Sequence, residues 1–301
     1  MPVIQLGVFC AMVSLCIKTN KNSIINYLIS NISKIHLDDI VFSKKDFSKY
    51  SNVIVHYIGN NIPQFYNELS TVITNCIIDN YESLIVHKLL LINYFYFDDA
   101  DLDTIEEDCK NILSNKNSSD VVSVQNEVID REHYLWADVL RYISYNKSIL
   151  LDGFVAFRIS DYMNCIESII DFSVNRFVIN REYMEFIDML RIYVASKPPE
   201  TNLVHLIYVN EESILLDSEK NVISLTKNNL CYLSDISFSS NDYALNSLLS
   251  LLPQKIIVHL IGSKDDFINT LQAIFGEAIT ICNSNCSICK SYQAFNKQQG
   301  T

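Results

Sequence analysis

Glycine and proline are scarce, at 6 and 5 of 301 residues. No G-x-x-x-x-G-K-[ST] or G-x-G-x-x-G run is present, so neither kind of phosphate-cradling loop is available. The G-x-S-x-G elbow and the H-E-x-x-H helix are missing as well. A dispersed catalytic triad, which is defined in space, stays open. Positive charge is also short: 23 Lys and Arg stand against 35 Asp and Glu, a formal net charge of −12. Broad binding to nucleic acid or anionic lipid needs clustered Lys and Arg, so nucleic acid is set aside as a partner apart from a local basic face. Long apolar runs are lacking too. Met1 to Ile17 is apolar but carries Gln5, Gly7 and Ser14, and the first lysine is Lys18. A secretory signal needs a basic stretch ahead of its apolar run, and a membrane span needs about 20 apolar residues. The segment reads instead as a buried strand, Val3 to Cys10, continuing toward Ile17. The expectation is a cytoplasmic protein with no membrane span.

What is present is enough for a core. Hydrophobic residues make up 49% of the chain and charged ones 19%, a balance that folds. The length suggests about two domains. The pattern predicts an α+β chain in three regions: a small α/β unit over 1–60, a largely helical region over 61–197, and a C-terminal α/β unit over 198–301 with a βαβ element and a Cys-containing tail. In the first region a helix over Asn22 to Ile35 follows the strand, and Asn52 to Ile58 reads as a second strand after a polar link. Helical spacing then runs from Pro63 through Ile77, and Leu84 to Phe97 is nearly continuous apolar, a central helix or a strand, with helix favoured by its length. The acidic run Asp98 to Asp108 places Asp99, Asp101 and Asp103 as in a calcium loop, but Thr104 and Lys110 stand where glycine and glutamate belong. It reads as a helix start, with Asp103 as cap and Glu106 closing a capping box. Asn115 to Ser123 reads as a loop. A helix follows from about Val124 to Tyr145, with the single tryptophan, Trp136. Tyr142, Tyr145 and Phe154 are spaced like core. Two further helices carry apolar faces through Ile159 to Ile170 and through Tyr183 to Val194, and Lys197-Pro198-Pro199 ends the helical region. Beyond it, Leu203 to Val209 and Ser213 to Asp217 read as a hairpin around Asn210. A short helix covers Tyr243 to Leu252, and Lys255 to Ile261, Asp265 to Phe275 and Ala278 to Cys282 form the βαβ element.

Four blocks in the second half carry a resemblance: GFVAFRISDY from Gly153 to Tyr162, REYMEFIDMLRIYV from Arg181 to Val194, PQKIIVHL from Pro253 to Leu260, and FGEAITICNSNCSIC from Phe275 to Cys289. Together and in this order they resemble the YtxC-like family. That resemblance implies a sporulation-associated protein of spore-forming Firmicutes with no assigned reaction.

Two constellations could carry chemistry. Nine cysteines are scattered along the chain, which suits a reducing compartment. Cys10, Cys16, Cys76, Cys109, Cys165 and Cys231 sit in or near apolar stretches and read as small core residues. Cys282, Cys286 and Cys289 instead form C-x3-C-x2-C after a strand, and a C-x2-C turn aims two thiolates at one point, as in structural zinc knuckles. His259 is the fourth candidate ligand, because its strand should neighbour the one ending at Cys282; His205 is a second. Cys286 and Cys289 as a redox dithiol, or all three as ordinary thiols, stay open. The second constellation is drawn from arginine, whose six copies all fall between Arg131 and Arg191. Arg181 and Glu185 are one helical turn apart, Glu182 faces nearly the same way, and Arg158 from a neighbouring helix could bridge to the carboxylates. This reads either as an ion-pair network fixing helix register or as a polar pocket for acid–base work. The sequence thus supports a non-enzymatic interaction or regulatory protein with a protein partner and zinc in its tail; the alternative is an enzyme of unrecognised type using either constellation.

Overall fold

The structure is a computed structural model that describes residues 12–114, 124–223, 239–283 and 286–291. The expected strand Val3 to Cys10, the loop Asn115 to Ser123 and Cys231 lie outside the described residues. The chain divides into two compact units, Met1–Val178 and Ile179–Thr301. The regions taken from sequence as 1–60 and 61–197 therefore meet in one unit up to residue 178.

In the first unit, β1 (Val13–Thr19) is followed by α1 (Asn22–Ile32), β2 (Ile40–Asp46) and β3 (Ser51–Tyr57). The sheet order is β2-β3-β1-β4, with β4 (Ser148–Leu150) added in parallel beside β1. Side chains alternate along a strand, and Leu15, Ile17 and Thr19 of β1 face the core with Ser51, Val53, Val55 and Tyr57 of β3. The stretch read as a polar link contains β2. Its exposed Ser43, Lys44, Lys45 and Asp46 hide a strand that, among the described residues, lies at the edge of the sheet.

Helices complete this core: α2 (Ile62–Asn93), α3 (Asp99–Ser114), α4 (Gln125–Tyr145), α5 (Leu151–Phe157) and the first part of α6 (Ser160–Ser196). The Asn61 side chain caps α2 by accepting from the Gln64 N–H at 3.2 Å, with Pro63 in the first turn, where its missing N–H costs nothing. The acidic run is a helix start, but its cap is Asp98, which accepts from the Asp101 N–H at 2.8 Å. Asp103, expected as the cap, lies inside α3, five residues beyond the cap itself. Asp99 and Asp101 occupy the first turn, where negative charge suits the helix dipole. Tyr142 and Phe154 pack ring edge to ring face at 5.2 Å, whereas Tyr145, read as core, is 86% exposed at the end of α4.

The two helices expected over Ile159 to Ile170 and Tyr183 to Val194 are one helix, α6. Nothing between them breaks the hydrogen-bond ladder, since the stretch from Asp171 to Glu182 holds neither glycine nor proline. The apolar stripe only changes face.

A buried ion pair lies among these helices. Arg131 is 2% exposed. Its Nε donates to Glu82 at 3.0 Å and one terminal nitrogen to the other carboxylate oxygen at 3.4 Å. The Tyr162 hydroxyl donates to the same carboxylate at 2.7 Å. Two further guanidinium hydrogens reach the carbonyls of Val128 and, at 3.1 Å, Leu113.

The second unit holds the last part of α6, then β5 (Thr201–Val209), β6 (Glu212–Leu216), α7 (Ser240–Leu251), β7 (Pro253–Ile261), α8 (Asp266–Phe275) and β8 (Ile279–Ile281). The sheet order is β6-β5-β7-β8. β5 and β6 form the expected hairpin, turning at Asn210 and Glu211, both with positive φ. β7, α8 and β8 form the expected βαβ element, with β7 and β8 parallel. One face of this sheet, Val204, Leu206, Tyr208, Ile256 and Val258, buries against α7, α8 and Ile187 of α6. The Asp265 side chain caps α8, and Gly276 ends it at φ 52°, a conformation glycine adopts without strain.

Removing one partner of a buried ion pair leaves the other charge uncompensated, at a cost of about 3–5 kcal/mol. Arg131→Met is therefore expected to lose that much in equilibrium urea unfolding followed by Trp136 fluorescence. Tyr162→Phe, which leaves the pair and removes one hydrogen bond to a charged group, should lose about 1.5–3 kcal/mol. Equal losses in the two variants would contradict this ranking.

Candidate metal centre

The second face of the C-terminal sheet carries His205 and Ile207 on β5 and His259 on β7, since alternate residues of each strand point away from the main core. β8 runs parallel to β7 and stops at Ile281; Cys282 follows and stays tied to it through its N–H, which donates to the Val258 carbonyl at 2.8 Å. Register thus places Cys282 near His259. The chain then returns, and residues 287–291 form a helical turn. The Cys289 N–H donates to the Cys286 sulfur at 3.3 Å, so the C-x2-C turn has the closed form in which two sulfurs converge.

The ligand atoms of His259, Cys282, Cys286 and Cys289 all lie within 4.8 Å of one another. His259 Nδ1 is 3.3 Å from the Cys286 sulfur and 3.4 Å from that of Cys289, and the Cys289 and Cys282 sulfurs are 3.9 Å apart. Tetrahedral bonds of about 2.3 Å to sulfur and 2.0 Å to nitrogen require S···S and N···S separations of about 3.8 and 3.5 Å. The residues present fit a four-coordinate metal. His259 and Cys289 are buried, while Cys282 and Cys286 are half-buried.

His205 serves this group without joining it. Its Nδ1 lies 2.9 Å from His259 Nε2. If His259 presents the Nδ1 lone pair to a metal, Nε2 carries the proton and His205 Nδ1 must accept it, which fixes the tautomers of both rings. Burial lowers the pKa of His259, assisted by the neighbouring His205, and burial with Lys220 lowers that of His205. Both effects favour the neutral imidazole that ligation needs. Burial, with the two neighbouring thiols, pushes the Cys289 thiol up to about 12. Burial also acts to raise Cys286, but hydrogen bonds led by the Cys289 N–H outweigh it and hold that thiol below its ordinary value.

The charged constellation is distributed differently. Arg158 is exposed at the end of α5 in the first unit. Arg181, Glu182 and Glu185 are exposed on α6 in the second unit. Arg181 and Glu185 approach to 4.0 Å across one helical turn. The buried arginine is Arg131, which sequence reasoning did not single out. A signal was there: Arg131 falls in the series Val128, Leu135 and Val139 on the buried face of α4, and Glu82 sits among the apolar residues of α2.

A family model described as the YtxC-like family matches residues 67–280. The chain belongs to the YtxC-like family. The match takes in Glu82, Arg131, Tyr162, His205 and His259, and stops two residues before Cys282. The uncharacterized protein YtxC of Bacillus subtilis (strain 168) is 24% identical over 130 residues, which make up 42% of this chain and 46% of that protein. The chain thus spans about half the length of this YtxC-like relative. No solved structure matches it.

Partners that orient a ligating histidine typically contribute about 10–100-fold in metal affinity. His205→Ala should weaken binding by that factor, measured by competition with a chromophoric chelator, while stoichiometry stays unchanged. An unchanged affinity would remove His205 from the site.

Proposed function

We propose that this YtxC-like protein is a non-enzymatic interaction or regulatory protein of the cytoplasm, acting in sporulation, whose C-terminal segment is held in place by structural zinc. The observation that carries the zinc reading is the Cys3His set on β7, at the end of β8 and on the turn after it. Three thiolates and an imidazole suit zinc and disfavour magnesium or calcium, which take oxygen ligands. Four protein ligands fill a tetrahedron, whereas a hydrolytic zinc keeps a position for water. The arrangement therefore favours structure over catalysis. The sporulation setting rests on membership of the YtxC-like family alone. The cytoplasmic setting is supported by free cysteines at all seven described positions, and no described helix is long and apolar enough to cross a membrane.

The metal's role follows from what it pins down. Ile288, beside Cys289, is buried with Ile207 and Leu216 in a small cluster on the second face of the sheet. Among the described residues the cluster is these three buried side chains with Ile214, Ile261 and Cys286 packed partly against them, a small contribution at about 1.5–3 kcal/mol per fully buried side chain against backbone ordering of about 1–2 kcal/mol per residue. Zinc bound by ligands from both sides of that contact converts its binding free energy into stability.

Protein purified under reducing, chelator-free conditions should hold about one zinc per chain by elemental analysis. The Cys286→Ser, Cys289→Ser double variant should lose it, melt at lower temperature, and show faster hydrogen exchange in β5, β6 and β7 with residues 62–178 unaffected. Finding no metal would sink the proposal. Because the Cys289 thiol is protonated at neutral pH, zinc uptake should release protons, and affinity should fall as pH is lowered; a pH-independent affinity would argue against thiolate ligation.

A further inference from the structure

Surface outside the metal centre also carries information. On α2, Glu82, Val86 and Leu90 face the core. At about 100° per residue, Leu84, Lys88, Leu91 and Ile92 fall together on the opposite side. Three of these four are apolar and exposed, Leu84 at 54%, Leu91 at 48% and Ile92 at 57%. The corner after α2 extends the stripe with Phe95 at 76% and Tyr96 at 65% exposed. Scattered apolar residues on a surface are ordinary, but a contiguous run of this kind marks an interaction site.

Beside the stripe, α2 and α3 enclose a groove. Leu90, Leu91 and Leu102 line its apolar part, and Asp99, Asp103 and Glu106 stand along it. Glu106 is engaged by Lys110 and His87, each at 2.7 Å. Of the seven carboxylates from Asp98 to Asp108, Asp99, Asp103 and Glu106 line the groove, while Asp108 pairs with Arg176 and Asp98 caps α3.

We propose that this groove binds a basic amphipathic helix of a partner protein, with apolar residues at i, i+3 or i+4, and i+7 seated on Leu91, Leu102 and Phe95, and Lys or Arg facing Asp99 and Asp103. Charge complementarity selects this occupant. A second copy would set the same acidic rim against itself, between chains of net charge −12 each. Nucleic acid and anionic lipid would meet like charge. The inference rests on the interaction reading above and gives it a surface and a partner class; the metal centre takes no part in it.

The test uses the full chain and a fluorescent 18-residue Leu/Lys amphipathic peptide, with a scrambled peptide and a Leu/Glu peptide as controls, followed by anisotropy. The Leu/Lys peptide should bind at least tenfold tighter than either control. Leu91→Ser and Phe95→Ser should each weaken it at least tenfold, and the Asp99→Asn, Asp103→Asn pair should weaken it and flatten its salt dependence. Equal binding of the scrambled peptide, or no response to these variants, overturns the proposal. So does a dimer in analytical ultracentrifugation that Phe95→Ser disperses, which would assign the stripe to a second copy. Photo-crosslinkers in living cells, one at position 96 and one at position 192, where Ile192 stands 68% exposed on the part of α6 in the second unit, separate the two readings. Protein adducts at 192 alone overturn this groove and leave the interaction reading standing; adducts at neither position overturn both.

Discussion

In the first unit, the guanidinium of Arg131 meets both carboxylate oxygens of Glu82, two backbone carbonyls and, through the shared carboxylate, the hydroxyl of Tyr162. These groups come from α2, the last turn of α3, α4 and the start of α6. Apolar packing around them tolerates small slips, because neighbouring Ile and Leu side chains are nearly interchangeable. A planar fork with fixed hydrogen-bond directions does not. A slip of one helix by one residue would leave a charge buried without its partner, a cost comparable to a large part of a domain's net stability. The pair is thus better understood as selecting one helix arrangement than as adding to stability, since an apolar replacement of equal volume is often as stable.

The second unit solves a related problem with different chemistry. Its four-stranded sheet has helices on one face, and among the described residues the cover of the other face includes a short segment carrying Ile288 and two cysteines. His259 is 2% exposed and would be a liability there as an isolated polar ring. Its Nε2 meets His205 and its Nδ1 faces sulfur, so each nitrogen has a partner. The line from His205 through His259 to Cys286 and Cys289 turns a polar defect on an apolar face into an organised site.

Much of this was legible in the residues. The βαβ element followed from Gly276 between an amphipathic helix and a β-branched run, and from the parallel pairing it requires came the placement of His259 beside Cys282. Helix in α2, in α4 and in both parts of α6 followed from apolar spacing and length. What escaped reading has physical causes. β2 is exposed along most of its length and shows no alternation for a pattern to detect. The joint in α6 looked like a boundary because the apolar stripe changes face there, although the backbone continues. Arg131 and Glu82 are 49 residues apart, and a pairing over that distance depends on how four helices pack, which no local window contains. Arg158, Arg181, Glu182 and Glu185 are all exposed, and ion pairs on exposed surface contribute little to stability.

The order of the ligands along the chain has a consequence for how the protein is made. His259 lies on the third strand of its sheet, and the three cysteines follow the fourth. A ribosome therefore delivers every strand before the sulfurs exist to grip an ion. On the zinc reading proposed above, the ligand set is complete only once β5, β6, β7 and β8 have all been made, so a bound cation would close over strands already present. Absence of such a cation would then leave the strands of the sheet in place and the segment carrying Cys286, Ile288 and Cys289 unpinned.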